Sequence, residues 1–304
     1  MPLYEKISII GLGLIGSSLA RAIKENNIAG ALIGFDENPD HNKVVNDLAL
    51  VDLIAADLVS AVKDADLVIL ATPVGAYSSI AEIIGDHLKA GATLSDVGSI
   101  KAAVFDMINP HISSDVHLIP AHPVAGTEQS GPKAGFSSLF HDRWAILTPP
   151  EGADQGTIDK LSKFWQAVGS NVEIMEPKHH DKVLAITSHV PHLIAYNIVG
   201  TARDLEEVTK SEVIKFSAGG FRDFTRIAAS NPTMWRDVFL NNKEAVLEML
   251  GRFSEDLTAL QRAIRWEDGD ALYDIFEKTR RIRQQIIDAG QEEDVADFGR
   301  HQDE

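Results

Sequence analysis

The chain has 304 residues, 44% of them hydrophobic, which is enough for one large or two ordinary domains. It contains no cysteine, so disulfides, thiol catalysis and thiolate metal sites are excluded. Its 28 Lys and Arg against 45 Asp and Glu leave a net charge of −17, which argues against nucleic acid as a partner.

A small anionic substrate needs only a local basic pocket, so the acidity does not exclude one. No apolar run approaches the roughly 18 residues of a membrane span. The first strand starts too early to leave room for a signal peptide. The expectation is a cytoplasmic protein with no membrane partner.

Residues 5 to about 175 read as alternating strands and helices. Strands are predicted at 6–10, 31–35, 66–71, 93–97, 116–120, 144–148 and 171–175, and helices at 14–26, 38–49, 76–89, 99–108 and 156–168. Such alternation implies a parallel sheet with helices on both faces. The first strand breaks into Gly11-Leu12-Gly13-Leu14-Ile15-Gly16, where a helix begins. Gly11 permits the tight turn, Gly13 lets a pyrophosphate approach the backbone, and Gly16 lets helix and strand pack closely. The helix start aims its N–H groups at the phosphates. Asp36 ends the second strand, 20 residues after Gly16, where a carboxylate can accept both ribose hydroxyls of adenosine. Asp36 and Glu37, with no arginine just beyond, favour NAD over NADP. This is the pattern of a Rossmann-type doubly wound sheet. Ligands in such sheets lie at the carboxyl ends of strands, so the loops 71–75 (with Thr72 and Pro73 beside the cofactor), 96–101 and 120–131 carry the interest.

Two of those loops hold chemistry-bearing residues. Ser99 lies in Asp96-Val97-Gly98-Ser99-Ile100-Lys101, as a helix N-cap or a catalytic hydroxyl. His122 follows the next strand and is suited to general acid/base work. A serine beside an imidazole can fix its tautomer. A hydrolase reading lacks a Gly-x-Ser-x-Gly elbow and leaves the dinucleotide site unexplained.

From about Glu176 strand signals vanish and helices follow: one over 178–208, another from near 212, one from Asn231-Pro232 to about Arg265, and a last from Asp268 or Asp270 to about Ala289. Lys278, Arg280, Arg281 and Arg283 near the end suit the helix dipole or a solvated face. Residues 291–304 read as a disordered acidic tail. The expected division is a dinucleotide-binding domain over 1–175 and an all-α domain over 176–290 that meets substrate and forms a homodimer. Ser188-His189-Val190-Pro191-His192 places two histidines on one helix face; with His179, His180 or Asp181 they allow a metal reading, which no accompanying acid pattern supports, and no metal is expected. Arg222 and Arg226 are candidates for binding a carboxylate, or for pairing with Asp223.

Taken together, the glycine motif, Asp96-Val-Gly-Ser-Ile-Lys101, His122-Pro-Val-Ala-Gly-Thr-Glu-Gln-Ser-Gly131, Ser188-His-Val-Pro-His192, Gly220-Phe-Arg-Asp-Phe-Thr-Arg226 and Asn231-Pro-Thr-Met-Trp235 resemble the prephenate/arogenate dehydrogenase family of tyrosine biosynthesis. The resemblance implies NAD-dependent oxidative decarboxylation. His122 would accept the proton of the ring hydroxyl, a hydride would leave that carbon for the nicotinamide, and the ring would aromatise with loss of CO2. It implies that Ser99 orients His122, that Arg226 binds a substrate carboxylate, and that Thr127, Glu128, His192 and Trp235 line the pocket. It leaves prephenate against arogenate open. Some family members carry a fused mutase or regulatory domain; neither is expected here, so tyrosine inhibition would act at the active site or be absent. The alternatives are a β-hydroxyacid dehydrogenase, whose acid/base lysine lacks its usual context at Lys178 or Lys182, and a dinucleotide-sensing module, which leaves Ser99, His122 and Arg226 unexplained.

Overall fold

In the computed structural model, which describes residues 1–209 and 215–288, the N-terminal alternation forms two sheets rather than one. The first has six parallel strands: β1 (Tyr4–Ile10), β2 (Ala29–Phe35), β3 (Leu53–Ile54), β4 (Leu67–Leu70), β5 (Thr93–Asp96) and β6 (His117–Leu118). Their order is β3-β2-β1-β4-β5-β6, so the winding reverses between β1 and β4. That reversal opens a crevice at the strand ends where a dinucleotide fits. Ile7, Ile9, Ile10 and all of Leu67–Leu70 are buried, as expected for strands covered on both faces. The covering helices are α1 (Leu14–Glu25), α2 (Pro39–Asp47), α3 (Leu58–Val62), α4 (Tyr77–Ile84) and α5 (Ala102–Ile108). α2 starts on Asn38, whose side chain accepts from Asp40 N, with Pro39 in the first turn. β3 and α3 are absent from the sequence reading because two- and five-residue elements show no periodicity.

The second sheet corrects the expectation of a single parallel sheet reaching residue 175. It consists of β7 (Ala121–Pro123), β8 (Trp144–Leu147) and β9 (Asn171–Ile174), with β7 antiparallel to β8 and β8 parallel to β9. Between β8 and β9 runs α6 (Gln155–Ala167), capped by Asp154. Pro120 makes the break. It has no N–H to continue the six-stranded ladder, and its carbonyl accepts from Thr148 N at 2.9 Å instead.

The chain forms two compact units, Met1–Ala195 with Ile227–Val246, and Tyr196–Arg226 with Leu247 onward. The first adds to the sheets α7 (Pro177–Leu184), a π-helical turn over Ala185–His189, and the start of α8 (Val190–Thr209). Glu176 caps α7 by accepting from Lys178 N and His179 N. After α9 (Gly219–Thr225) in the second unit, the chain returns to the first as α10 (Pro232–Asn241). The helix expected to run unbroken from Asn231 to Arg265 is two helices, α10 and α11 (Lys243–Arg265). They break at Asn242, whose side chain is engaged in tertiary hydrogen bonds.

The stretch Pro177–Asp204 is long and apolar enough to cross a membrane by length and composition, against the sequence expectation. Ser, Thr, His and Asn interrupt its apolar run without adding charge. Its His180, Asp181 and His189 are buried. The second unit is built from the remainder of α8, α9, most of α11, and α12 (Gly269–Asp288). Leu257, Ile264, Trp266, Tyr273 and Phe276 are exposed there. The helix expected to begin near 212 and the tail over 291–304 lie outside the described residues.

Candidate active site

The dinucleotide crevice is shaped by missing side chains. Gly11 has φ +93°, and a Cβ there would sit 2.6 Å from the Ala71 carbonyl oxygen. A Cβ on Gly16 would strike the Gly11 carbonyl, whereas a Cβ on Gly13 would point into open space. α1 starts after Gly13 with no side-chain cap, so the N–H groups of Leu14, Ile15 and Gly16 lie at an uncapped helix terminus. Asp36 follows β2 directly. Its Oδ2 accepts from Leu12 N at 2.7 Å and its Oδ1 from Asn38 N at 2.9 Å, which aims the carboxylate from the strand tip. His41 Nδ1 stands 3.2 Å from the same carboxylate. Across the crevice Thr72 Oγ1 is buried with no hydrogen-bond partner, and Pro73 is exposed beside it. The open side of Gly13, the uncapped helix start and the orphaned Thr72 hydroxyl fit a bound dinucleotide.

One loop further, a buried polar cluster fixes the start of β7. Asp96 accepts from Tyr77 Oη at 3.0 Å, Gly98 N at 2.8 Å, Lys101 Nζ at 2.5 Å and Ala121 N at 3.2 Å. Lys101 Nζ also donates to the Ala121 carbonyl at 2.7 Å. Asp96 and Lys101 thereby clamp the peptide immediately before His122. Burial pulls the Lys101 amine below its ordinary pKa, with Asp96 opposing the shift.

His122 is 6% exposed. Its Nδ1 lies 2.8 Å from His180 Nε2, with the rings edge to face. His180 Nδ1 lies 2.9 Å from Asp181 Oδ1, and the Asp181 carboxylate accepts from Lys101 N at 2.7 Å and Ala102 N at 2.9 Å. Burial drives the His122 pKa well below its ordinary value, and the neighbouring His180, Lys101 and His189 push it the same way. The imidazole is therefore neutral near pH 7, the state a proton acceptor needs.

A second histidine group stands nearby in the same unit. His189 is fully buried, its pKa lowered to about 4 by burial. Its Nδ1 lies 3.1 Å from Asn242 Nδ2, which also donates to the Asp181 carbonyl at 2.9 Å. Its Nε2 makes no well-formed hydrogen bond, although the backbone of Ser99 lies close enough to favour protonation. His192 Nδ1 donates to the Ser188 carbonyl at 2.8 Å, and its ring stacks on Trp235 at 3.8 Å. Trp235 also meets His189 edge to face.

Four of the expected positions, Ser99, His122, His192 and Trp235, thus belong to one unit, together with His189. Thr127 and Glu128 lie in the exposed loop after β7, where Thr127 Oγ1 accepts from Gln129 N. Arg226 belongs to the second unit, in a 3₁₀ turn after α9. On the Nδ1 side of His122 the partner is His180, where Ser99 was the expected one. His180 and Asp181, considered from sequence only as metal ligands, are hydrogen-bonded within the protein. Asn242 carried no signal beyond its position in an apparently continuous helix.

A family model described as the nucleotide-binding domain of prephenate dehydrogenase matches residues 19–174, and one described as its dimerization domain matches 176–278. The cyclohexadienyl dehydrogenase of Zymomonas mobilis is 38% identical over 93% of this chain and 96% of its own length. Among solved structures, prephenate dehydrogenase from Aquifex aeolicus, in complex with hydroxyphenyl propionate and NAD+, is 31% identical with a TM-score of 0.86, covering 93% of this chain and 98% of that one. Synechocystis arogenate dehydrogenase is 26% identical with a TM-score of 0.76, over 92% and 99%.

The reversed parallel sheet, its glycine turn and the buried neutral imidazole define an NAD-dependent oxidoreductase. The chain belongs to the prephenate dehydrogenase family, whose models together span it from residue 19 to 278. The β-hydroxyacid dehydrogenase reading is not favoured.

Proposed function

We propose that this chain oxidises and decarboxylates prephenate to 4-hydroxyphenylpyruvate with NAD, and that arogenate is its second substrate. The observation that carries the reading is His122: a neutral, nearly buried imidazole hydrogen-bonded through Nδ1, which leaves Nε2 to meet a substrate hydroxyl. The names of the Zymomonas and Synechocystis relatives support the wider substrate range.

Bound NAD would be held by Gly11, Leu12, Gly13, Leu14, Ile15, Gly16, Asp36, Thr72 and Pro73, and its nicotinamide supplies the hydride acceptor. His122 takes the proton of the ring hydroxyl as the C–H bond at that carbon breaks. Ser99 contacts the same hydroxyl. Loss of the ring carboxylate as CO2 returns its bonding electrons to the ring and makes it aromatic. Arg226 binds a substrate carboxylate as a bidentate fork, and Thr127, Glu128, His192 and Trp235 line the pocket. Residues 1–175 act as the dinucleotide domain and 176–290 as the substrate and dimerisation domain of a cytoplasmic homodimer. The exposed apolar side chains of α11 and α12 support that assembly.

The test is NADH formation by purified protein with NAD and either prephenate or arogenate. Turnover with both is the expected result. Turnover with prephenate alone narrows the substrate to the keto acid, and arogenate alone reverses the assignment. Binding of NAD without turnover of either overturns it.

A further inference from the structure

We propose that His180 and Asp181 form a relay behind His122 that fixes its tautomer, with Nδ1 as donor and Nε2 as the proton-accepting atom. They are thus positioning residues for the reaction. The inference rests on the proposed role of His122 as proton acceptor. The argument starts at the carboxylate. Asp181 accepts from two backbone N–H groups, Lys101 N at 2.7 Å and Ala102 N at 2.9 Å, and a peptide N–H can only donate. With both of its oxygens already accepting from peptide N–H groups, the Asp181 carboxylate is the acceptor at the 2.9 Å contact as well, so that hydrogen belongs to His180 Nδ1. A neutral imidazole has one N–H. His180 Nε2 is then a lone pair, and the 2.8 Å contact from His122 Nδ1 must be donated by His122.

The same count on His122 leaves the lone pair on Nε2. When the substrate O–H bond breaks, its electron pair stays on oxygen and the proton forms a new bond at Nε2. The imidazolium so made donates through Nδ1 to His180, which leans on the Asp181 charge. His180 is fully buried and Asp181 is 4% exposed, so no solvent competes for these hydrogen bonds. Asn242 supports the relay from behind by donating to the Asp181 carbonyl at 2.9 Å.

The experiment has two arms on the full-length chain. Nitrogen NMR of ¹⁵N-histidine protein, with the His122 signals assigned through His122→Asn, reads the tautomer without disturbing the relay. A protonated Nδ1 with an unprotonated Nε2 is expected, and the opposite pattern overturns the proposal. The kinetic arm compares His180→Leu, which removes the acceptor, with His180→Gln, whose side-chain carbonyl can replace it. His180→Leu should lower kcat by about 10–10³-fold, with KM and NAD affinity within about threefold of the parent. His180→Gln should recover most of the loss. Placed on a His122→Asn background, His180→Leu should lower kcat no further, because the relay acts only through His122. An equal loss on that background, or no loss in His180→Leu itself, overturns the proposal. A parent protein inactive on both substrates, with the expected tautomer by NMR, would count against the assigned reaction and leave the relay standing.

Discussion

At the residue scale, His122 is set apart by what surrounds it rather than by its type. A histidine at a strand end is visible in the sequence, and the proposed general-base role starts from it. Its partner His180 is not, because the two are 58 positions apart and only tertiary packing makes them neighbours. Replacing His122 by Asn should cut turnover by roughly 10²–10⁴-fold, the usual share of general acid/base catalysis. NAD affinity, measured by titration, should stay near that of the parent, because Asp36 and the glycine turn lie outside the relay. For Arg226→Ala the expected change is a rise in substrate KM with kcat little altered, since a ground-state carboxylate contact is removed. Steady-state kinetics against prephenate reads both parameters, and an unchanged KM removes Arg226 from the substrate site.

Whole elements were legible where their periodicity was strong. The buried run at β4, the Asn-Pro start of α10 and the glycine turn before α1 were each evident from local chemistry. The second sheet was not, because β7 is three residues long and its antiparallel partner β8 arrives only after a loop of twenty residues. The break between α10 and α11 was also hidden. No glycine or proline marks it, and Asn242 leaves helical geometry to reach the Asp181 carbonyl and His189. Asn242→Ala would strand His189 Nδ1, whereas the Asp181 carbonyl keeps the Ala185 N–H. The substitution should destabilise the protein by about 1–3 kcal/mol, the cost of an unsatisfied buried polar group. A thermal melt should show the loss as a lowered Tm, and a Tm equal to the parent's would mean that another donor takes over.

On the scale of the whole molecule, the three buried histidines couple folding to pH. Burial holds His122, His180 and His189 below their ordinary pKa, His189 at about 4. An unfolded chain titrates its histidines near pH 6.5, so below that value it binds protons that the native state refuses. The stability these residues contribute is therefore complete above about pH 6.5 and drains away as the solution is acidified toward about pH 4. Melting curves across that range should show Tm falling steadily on the acid side, and a flat profile would contradict the neutral, buried state of the three rings. The sealed position of His122 has one more consequence, which concerns stoichiometry. Conversion of prephenate and oxidised NAD to hydroxyphenylpyruvate, CO2 and NADH neither releases nor consumes a hydrogen ion. The hydrogen taken from the ring alcohol can be handed back to the phenolate that aromatisation creates. An imidazole closed to solvent can thus serve every cycle as lender and collector of the same particle, and the rate should be indifferent to how much buffer the solution contains.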